Sequence, residues 1–361
     1  MKKLIALFLA MIMVLGLVAC GGGNNETPTT TEPQGGNESL QGGENEGGED
    51  KPAEITYAIV AKSEGNPYME KMVDGFKEAC GKLGFKCEVK YPETATNIED
   101  QIAVINDLIT QGVKGIAIAA NDAEALSATL EEAKDEGINV ITLDSDTTGS
   151  QMFINQAGVK EVAQVLVDSI YDMSGGEGEF AVLSAASTAT NQNAWIAAMD
   201  EIIKGDEKYS KLVWVETVYG DDESQKSTDE TQNLMTKYPN LKVICCPTTV
   251  GVLACAKAVQ DAASSIKVAG LGLPSEMAEY ITAGVCEGMY LWNPIDLGYC
   301  AAYASVGMVK GEIAGTIGET FEAGRLGTIE IYDDGNGNPF TIVGDPYNFT
   351  AENIEDWKNV Y

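Results

Sequence analysis

Polar side chains suited to binding hydroxyl groups follow several predicted strands of this 361-residue chain. Lys62 comes after the first predicted strand, Asp144 and Asp146 come after the fourth, and Asn191 and Gln192 come after the first strand of a second series. The remaining candidates for the same site are Asn66, Pro247, Thr249 and Trp292. Carboxylates, amides and ammonium groups hydrogen-bond hydroxyls, at about 1.5–3 kcal/mol for a bond to a charged group, and indoles cover apolar ring faces. These residue types predict a binding site for a small neutral sugar or polyol.

Each candidate also has an ordinary structural interpretation. Asp144 and Asp146 could cap the elements that follow them, and Lys62 could be a solvated lysine. Asn191 suits a helix N-cap, a role that is compatible with ligand contact. Trp195 and Trp292 could be ordinary core residues, and Pro247 could be an ordinary turn residue. The site interpretation is favoured because the candidates come from strand ends in both series.

The composition narrows the possible functions. The chain has no histidine, which removes the commonest general base and metal ligand and excludes a Ser-His-Asp triad or a Cys-His dyad. The formal net charge of −32 disfavours nucleic acid as a partner. The stretch Gly270-Leu271-Gly272 is not a dinucleotide fingerprint, because Ser275 stands where the third glycine would be. We therefore expect no cofactor, no metal ion and no nucleic acid.

A glycosidase that uses Asp144 and Asp146 is the enzymatic alternative. Two carboxylates can cleave a glycosidic bond when they flank it. These two lie on one short loop and would have to straddle the sugar bond from there. The pattern favours a binding protein without catalytic residues over an enzyme.

Apolar runs alternate with helical stretches from residue 55 onwards. The predicted strands are 55–61, 86–91, 115–119, 139–143, 179–184, 212–219, 241–246 and 266–271. The predicted helices are 67–83, 97–111, 123–136, 159–173, 191–203, 224–237 and 250–262. The alternation predicts parallel, doubly wound sheets, and its restart after residue 157 predicts two α/β domains in tandem. Ligands of such sheets bind beyond the carboxyl ends of the strands, so we expect the candidate residues to meet in a cleft between the domains.

The first twenty residues predict an extracytoplasmic protein. Lys2 and Lys3 precede an apolar run over residues 4–18, the pattern of a signal peptide that ends at residue 19. The sequence Leu17-Val18-Ala19-Cys20 is typical of a bacterial lipobox. We therefore expect a lipid on Cys20 that anchors the protein to the outer face of the cell membrane, while a plain signal peptide with a chance cysteine is the alternative. Residues 20–53 are acidic and of low complexity, which predicts a disordered tether behind the lipidated cysteine.

Seven of the eight cysteines follow Cys20. The number is odd, and no Cys-x-x-Cys pair occurs. Most of them have apolar neighbours, so we interpret them mainly as small buried hydrophobic residues. A disulfide between Cys80 and Cys87 stays open as an alternative.

The chain resembles the type I solute-binding proteins of bacterial ABC importers over residues 54–361, and within them the rhamnose-binding and autoinducer-2-binding receptors. The segments that carry the resemblance are Asp144–Asp146, Ala189–Trp195, Tyr219–Asp222, Gly270–Glu276, Leu291–Pro294 and Phe321–Gly327. The resemblance implies two tandem doubly wound lobes joined by a three-crossing hinge, with the ligand cleft between them. One lobe would combine residues 54–156 and 294–322, and the other residues 157–293 and 323–361. The crossings would lie near residues 155–156, 291–294 and 321–327, and we expect a monomer.

The same resemblance implies roles for single residues. The autoinducer-2 receptors use a lysine, an aspartate, a glutamine and a proline at the positions of Lys62, Asp144, Gln192 and Pro247. Asn191 and Thr249 stand where those receptors have Asp and Ala, and residues 190–195 and 273–277 are more similar to the rhamnose receptors. L-Rhamnose and autoinducer-2 therefore both stay open as ligands. The resemblance implies hinge closure on the sugar and its delivery to an ABC importer permease, with a purely sensory receptor as the alternative.

Overall fold

Residues 56–361 are the part of the chain that the computed structural model describes. The predicted signal peptide (1–19) and the predicted tether with its lipidated Cys20 (20–53) lie outside the described residues. The strands are β1 (Thr56–Val60), β2 (Lys86–Lys90), β3 (Gly115–Ile118), β4 (Asn139–Leu143), β5 (Phe153–Asn155), β6 (Gly178–Ser184), β7 (Leu212–Tyr219), β8 (Leu241–Cys246), β9 (Lys267–Gly270), β10 (Met289–Leu291), β11 (Thr320–Glu322), β12 (Thr328–Glu330), β13 (Tyr332–Asp333), β14 (Pro339–Ile342) and β15 (Tyr347–Phe349). The helices are α1 (Pro67–Leu83), α2 (Ile98–Gln111), α3 (Ser127–Asp135), α4 (Val159–Ser174), α5 (Thr190–Gly205), α6 (Ser224–Lys237), α7 (Thr249–Asp261), α8 (Pro274–Thr282), α9 (Pro294–Lys310) and α10 (Ile354–Trp357).

Local sequence signals place the first helix where it was predicted. The Asn66 side chain accepts hydrogen bonds from the N–H groups of Tyr68 at 3.0 Å and Met69 at 3.4 Å, and Pro67 occupies the first helical position. Gly84 ends the helix in the left-handed conformation with φ 77°. The predicted helix 123–136 begins later, as α3, because the Asp122 carboxylate accepts hydrogen bonds from two following N–H groups at 2.9 Å and holds a turn.

Two large sheets organise the described residues, and all their pairings are parallel except that of β13 with β14. The first has the strand order β13-β14-β5-β4-β3-β1-β2, and the second has the order β7-β6-β8-β9. Along β1, Tyr57 and Ile59 pack in one hydrophobic cluster while Ala58 and Val60 pack in another. Both faces of the first sheet are therefore covered, as parallel sheets require. The prediction of doubly wound parallel α/β architecture is confirmed.

The end of the chain differs from the predicted lobe boundary. Residues 323–361 were expected on the second lobe, but β14 pairs in parallel with β5 and so extends the first sheet, and β13 pairs with β14. The chain returns to the second sheet's side only at β15, which pairs with β10. The passage between the two sides therefore lies between β14 and β15, and not at residues 321–327. Main-chain pairing with β5 decides the position of this segment, whose short strands have no long apolar run of their own.

Close backbone packing joins α1 to α9 beneath the first sheet. A Cβ atom added to Gly75 would lie 1.9 Å from the carbonyl oxygen of Ile295, and one added to Gly298 would lie 1.8 Å from that of Met72. The two helices can approach this closely only because glycine has no side chain.

All seven cysteines of the described residues are free thiols, and every one except Cys87 is buried. The interpretation of the cysteines as mainly buried small residues is confirmed. The alternative disulfide between Cys80 and Cys87 is not formed, and the Cys87 thiol donates to the Glu88 carbonyl oxygen at 3.7 Å. The neighbouring Cys87 thiol and burial raise the pKa of the Cys80 thiol.

The α1–α9 contact supplies a test of the fold. The substitution Gly298→Ala is expected to destabilise the protein by about 1–3 kcal/mol or more, since the new methyl group meets backbone that cannot move independently. Gly81→Ala is the matched control, because it lies in α1 with open space around its Cα and should gain about 0.5–1 kcal/mol in helix preference. Urea unfolding of both variants measures the difference, and equal stabilities would contradict this account of the packing.

Candidate ligand-binding site

A small cavity, with about 40 Å³ of space for the centres of water-sized spheres, lies where strand ends of the two sheets meet. The lining residues are Lys62, Asn66, Tyr68, Met69, Asp144, Asn191, Gln192, Trp195, Asp222, Pro247, Thr248, Thr249, Leu271, Leu291 and Trp292. Eight of the nine predicted site residues line this cavity, and Asp146 does not.

A buried ion pair forms the polar centre of the cavity. The Lys62 Nζ atom lies 3.0 Å from Asp144 Oδ2, and the two side chains are only 5% and 3% exposed. Asn191 closes the group, because its Oδ1 accepts a hydrogen bond from Lys62 Nζ at 3.3 Å and its Nδ2 donates to Asp144 Oδ2 at 3.2 Å. Lys62 and Asp144 follow strands of the first sheet, whereas Asn191 lies in α5 after the first strand of the second. The trio therefore joins the two halves of the molecule.

The local backbone aims these side chains at each other. Asp144 follows β4 with φ 63°, in the left-handed region that residues other than glycine seldom adopt. Such conformations persist where the surrounding structure enforces them and are concentrated at functional sites. Asn191 is the second residue of α5, whose N-cap is Ala189, so Asn191 is not the N-cap.

Tyr68 orients the carboxylate of Asp144. Its hydroxyl donates to Asp144 Oδ1 at 3.0 Å and accepts a hydrogen bond from Trp292 Nε1 at 2.6 Å. Burial, followed by the nearby charge of Asp144, raises the pKa of Tyr68 well above its usual value, so Tyr68 is a neutral donor. No role for Tyr68 was predicted from the sequence, although Tyr68 lies directly after the loop that contributes Lys62 and Asn66.

Apolar rings adjoin the polar centre of the cavity. The rings of Trp195 and Trp292 lie 5.6 Å apart, and Tyr68 contacts Trp292 edge-on at 6.3 Å. Both indoles are buried, and Leu271 and Leu291 extend the same lining. The core interpretation and the ligand interpretation of the two tryptophans therefore hold together, since each packs in the core while lining the cavity.

Gln192 and Asn66 shape the cavity through the backbone. The Gln192 Oε1 atom accepts hydrogen bonds from Ser184 Oγ and from the Ala185 N–H, each at 2.8 Å, which holds the chain just after β6. Asn66 caps α1. Pro247 and Thr249 line the cavity on either side of Thr248, at the start of α7.

Asp146 corrects one expectation from the sequence. Its carboxylate accepts hydrogen bonds from the hydroxyls of Thr142 and Ser150, the latter at 2.9 Å, and it lines a different cavity. The turn at Asp144 sends the next residues back toward β4, so two positions along the chain do not bring this second carboxylate into the cleft. Burial raises the pKa of Asp146.

Asp222 and Thr248 complete the site from the second sheet and were not predicted. The Thr248 hydroxyl donates to Asp222 Oδ1, and Thr248 also caps α7. Burial is the main cause that raises the pKa of Asp222. The segment Tyr219–Asp222 was part of the family resemblance, but nothing in its spacing indicated that Asp222 reaches the cavity.

The described residues contain no group of three or more histidine, cysteine, aspartate or glutamate residues placed to hold a metal ion. Within residues 56–361, no helix combines the length and the apolar character that a membrane crossing requires.

The fold and site agree with comparisons to known proteins. A family model, the periplasmic binding protein domain, matches residues 57–313, and the chain belongs to this family. A solute-binding protein of an ABC transporter from Clostridium phytofermentas, with L-rhamnose bound, is 49% identical, with a TM-score of 0.82 over 85% of this chain and 99% of that one. The D-allose-binding periplasmic protein of Escherichia coli is 26% identical over 68% of this chain and 82% of that protein. LsrB from Clostridium saccharobutylicum, in complex with AI-2, shares the fold at 20% identity, with a TM-score of 0.78 over 84% and 99% of the two chains.

The family defines the class of function. Its members are extracytoplasmic sugar-binding proteins of ABC transporters, so this chain is a binding protein and not an enzyme. The predicted resemblance to solute-binding proteins of ABC importers is confirmed.

The polar trio predicts a pH-dependent loss of stability in one variant. Asn191→Asp places a second carboxylate where Nδ2 now donates to Asp144 at 3.2 Å, and should destabilise the protein at pH 7 by about 1–3 kcal/mol. The single Lys62 ammonium, 3.0 Å from Asp144 and 3.3 Å from the residue 191 side chain, can neutralise only one of the two carboxylates. Burial and repulsion of the second carboxylate therefore raise the folded-state pKa of the carboxyl pair above the unfolded value. The loss is therefore absent below the unfolded pKa of about 3.9, appears as the pH rises from there, and is complete above the raised value.

Asn193→Asp is the matched control for this prediction. Asn193 lies in the same helix turn but is exposed, and its Nδ2 donates to the Ser187 carbonyl oxygen at 2.9 Å. Asn193→Asp should lose about 0.5–1.5 kcal/mol with that bond, but the added charge is solvated, so this loss should depend little on pH. Urea unfolding of both variants near pH 4 and pH 7 gives the comparison. A loss for Asn191→Asp that does not depend on pH would contradict the geometry of the trio.

Proposed function

We propose that the cavity binds L-rhamnose or a closely related neutral 6-deoxyhexose and that the protein delivers it to an ABC importer permease. The observation that carries the proposal is that the polar Lys62–Asp144–Asn191 trio and the Trp195–Trp292 pair line one cavity. A pyranose combines the same two kinds of surface, with hydroxyls around an apolar ring. The 49% identity to a rhamnose-bound protein of the same family supports this choice of sugar.

The charges of the site suit a neutral ligand. Lys62 is already paired with Asp144, and Asp222 adds a further acidic group to the lining. An anionic ligand would meet uncompensated negative charge in a buried space, whereas a hydroxyl both donates and accepts. The leucines at 271 and 291 offer a surface for the methyl group that distinguishes a 6-deoxy sugar.

Autoinducer-2 is the second candidate ligand. Lys62, Asp144, Gln192 and Pro247 match the residues that the resemblance to its receptors implies, and all four line the cavity. Asn191 removes one of the charges that those receptors use, which favours the sugar.

Calorimetric titration of the protein tests this proposal. We expect binding of L-rhamnose and weaker binding of L-mannose, which differs only by a hydroxyl at C6. Leaving that hydroxyl unpaired against leucine side chains costs about 1–3 kcal/mol, or roughly 5- to 150-fold in affinity. If the protein binds autoinducer-2 but not L-rhamnose, the proposed ligand is wrong and autoinducer-2 is the ligand of this cavity.

Two variants locate the site in the same titration. Asp144→Ala should abolish measurable L-rhamnose binding, since it removes the carboxylate at the centre of the trio. Asp146→Ala is the control, because that carboxylate lies outside the cavity and its loss should leave the affinity within about twofold. Equal effects of both substitutions would contradict the assignment of the cavity.

We also propose that Cys20 is lipidated and that residues 20–53 connect the lipid to the sugar-binding domains. The support is the lipobox-like Leu17-Val18-Ala19-Cys20 and the acidic, low-complexity segment behind it. Full-length Cys20→Ser should move from the membrane fraction to the aqueous phase in a detergent partition of cells, while Cys87→Ser should stay with the membrane. If the Cys20→Ser protein stays in the membrane fraction, the proposed lipid anchor on Cys20 is wrong.

A further inference from the structure

Two aspartates of the cavity share an unusual backbone conformation. Asp144 follows a strand of the first sheet with φ 63°, and Asp222 follows a strand of the second sheet with φ 54°. Among the described residues only four other than glycine have positive φ, and these two line the same cavity. Strained conformations of this kind persist where the structure over-determines them, and they are concentrated at ligand sites. The two lobes therefore each hold one aspartate in a costly conformation beside the same space.

One carboxylate oxygen of Asp222 accepts a hydrogen bond, and the other has no hydrogen-bond partner among the described residues. The Thr248 hydroxyl donates to Asp222 Oδ1, and the same hydroxyl oxygen accepts the Gly251 N–H at 3.5 Å as the cap of α7. Thr248 is buried, and its single hydroxyl proton is committed to Asp222. Within residues 56–361, no hydrogen bond reaches Asp222 Oδ2. A fixed carboxylate with an unused acceptor at a cavity wall is suited to receive a ligand hydroxyl.

Lys62 does not form an ion pair with Asp222. Lys62 Nζ is hydrogen-bonded to Asn191 and ion-paired with Asp144 Oδ2. No salt bridge links it to Asp222, so the Asp222 carboxylate has only Thr248 as a direct partner within the described residues. Asp222 is half-buried, and a partly desolvated carboxylate with one direct hydrogen bond has acceptor capacity left for a further donor.

We propose that Asp222 is a specificity-determining ligand contact, whose Oδ2 accepts a hydrogen bond from a sugar hydroxyl other than those bound at Asp144, and that Thr248 is its positioning residue. This inference rests on the proposed sugar-binding function of the same cavity. The sugar would be held between one carboxylate of each lobe, so that closure of the lobes requires hydroxyls at two separate positions of the ring. Ligands that lack the second hydroxyl would be selected against.

The alternative is that Asp222 only holds Thr248 at the start of α7. Asp222→Asn distinguishes the two, because an amide oxygen still accepts the Thr248 hydroxyl but carries no charge for a ligand. With the contact role, L-rhamnose affinity falls about 10- to 100-fold. With the purely structural role, affinity stays unchanged. Asp221→Asn is the matched control, since Asp221 has the same backbone conformation but pairs with Lys226.

The experiment is calorimetric titration of the full chain with L-rhamnose and its 1-, 2-, 3- and 4-deoxy analogues, which together remove each ring hydroxyl in turn. The contact role predicts that Asp222→Asn weakens L-rhamnose but binds one of the four analogues as well as the wild type does, because the matching hydroxyl is already gone. Thr248→Val should weaken L-rhamnose binding less than Asp222→Asn does, and Thr248→Ser, which keeps the hydroxyl, should bind L-rhamnose as the wild type does. Unchanged L-rhamnose affinity in Asp222→Asn, or an equal loss for L-rhamnose and all four analogues, would overturn the inference.

The wild-type titration separates this inference from the proposed function. If the wild type binds D-ribose, D-allose or autoinducer-2 instead of L-rhamnose, the proposed sugar is wrong. Comparing Asp222→Asn with Asp221→Asn on the bound ligand then decides the role of Asp222: a selective loss in Asp222→Asn supports it, and equal affinities overturn it. Failure of the wild type to bind any of these four ligands overturns both. Thermal unfolding of each unliganded variant confirms that a lost affinity is not a lost fold.

Discussion

The buried pair of Lys62 and Asp144 constrains everything around it. Taking an ammonium and a carboxylate out of water costs several kcal/mol for each ion, and their attraction offsets this only when further hydrogen bonds satisfy the remaining protons and lone pairs. Here those bonds come from Tyr68 on the same side and from Asn191 on the other. The ion pair that follows strands of the first sheet is therefore fully hydrogen-bonded only with a residue from the second sheet's side. A sugar hydroxyl can enter this network, because it offers a donor and an acceptor at one atom.

This dependence would link recognition to hinge closure, which the family resemblance implies. With the two sides apart, water would solvate Lys62 and Asp144, and such an open state would carry little electrostatic penalty. With the two sides together, each polar group needs a partner on the other side or on a ligand. A ligand shifts such an equilibrium only by the difference in its contacts with the two states. Groups contributed by both sheets, such as Asp144 and Asn191, are the ones able to supply that difference.

The elements that could be predicted from the sequence have continuous apolar runs or clear caps. Helix α1 lies between Asn66-Pro67 and Gly84, and β4 is a buried run, so local signals agree with the fold. Strands β13 and β14 have two and four residues, and their place on the first sheet depends on pairing with β5. No local pattern contains that information, because an edge strand can pair with either sheet until tertiary packing selects one.

The site divides in the same way. Lys62, Asp144 and Asn191 could be predicted because each follows a strand end, and parallel sheets bring such ends together. Tyr68 and Asp222 could not, since their roles depend on partners 224 residues away at Trp292 and 26 residues away at Thr248. The prediction that Asp146 lines the cavity was wrong for the opposite reason. Asp146 is close to Asp144 in sequence, but the left-handed conformation of Asp144 turns the Asp146 side chain toward Thr142. Spacing along the chain therefore identifies which loops reach a cleft, while the backbone conformation within each loop decides which of its side chains enter.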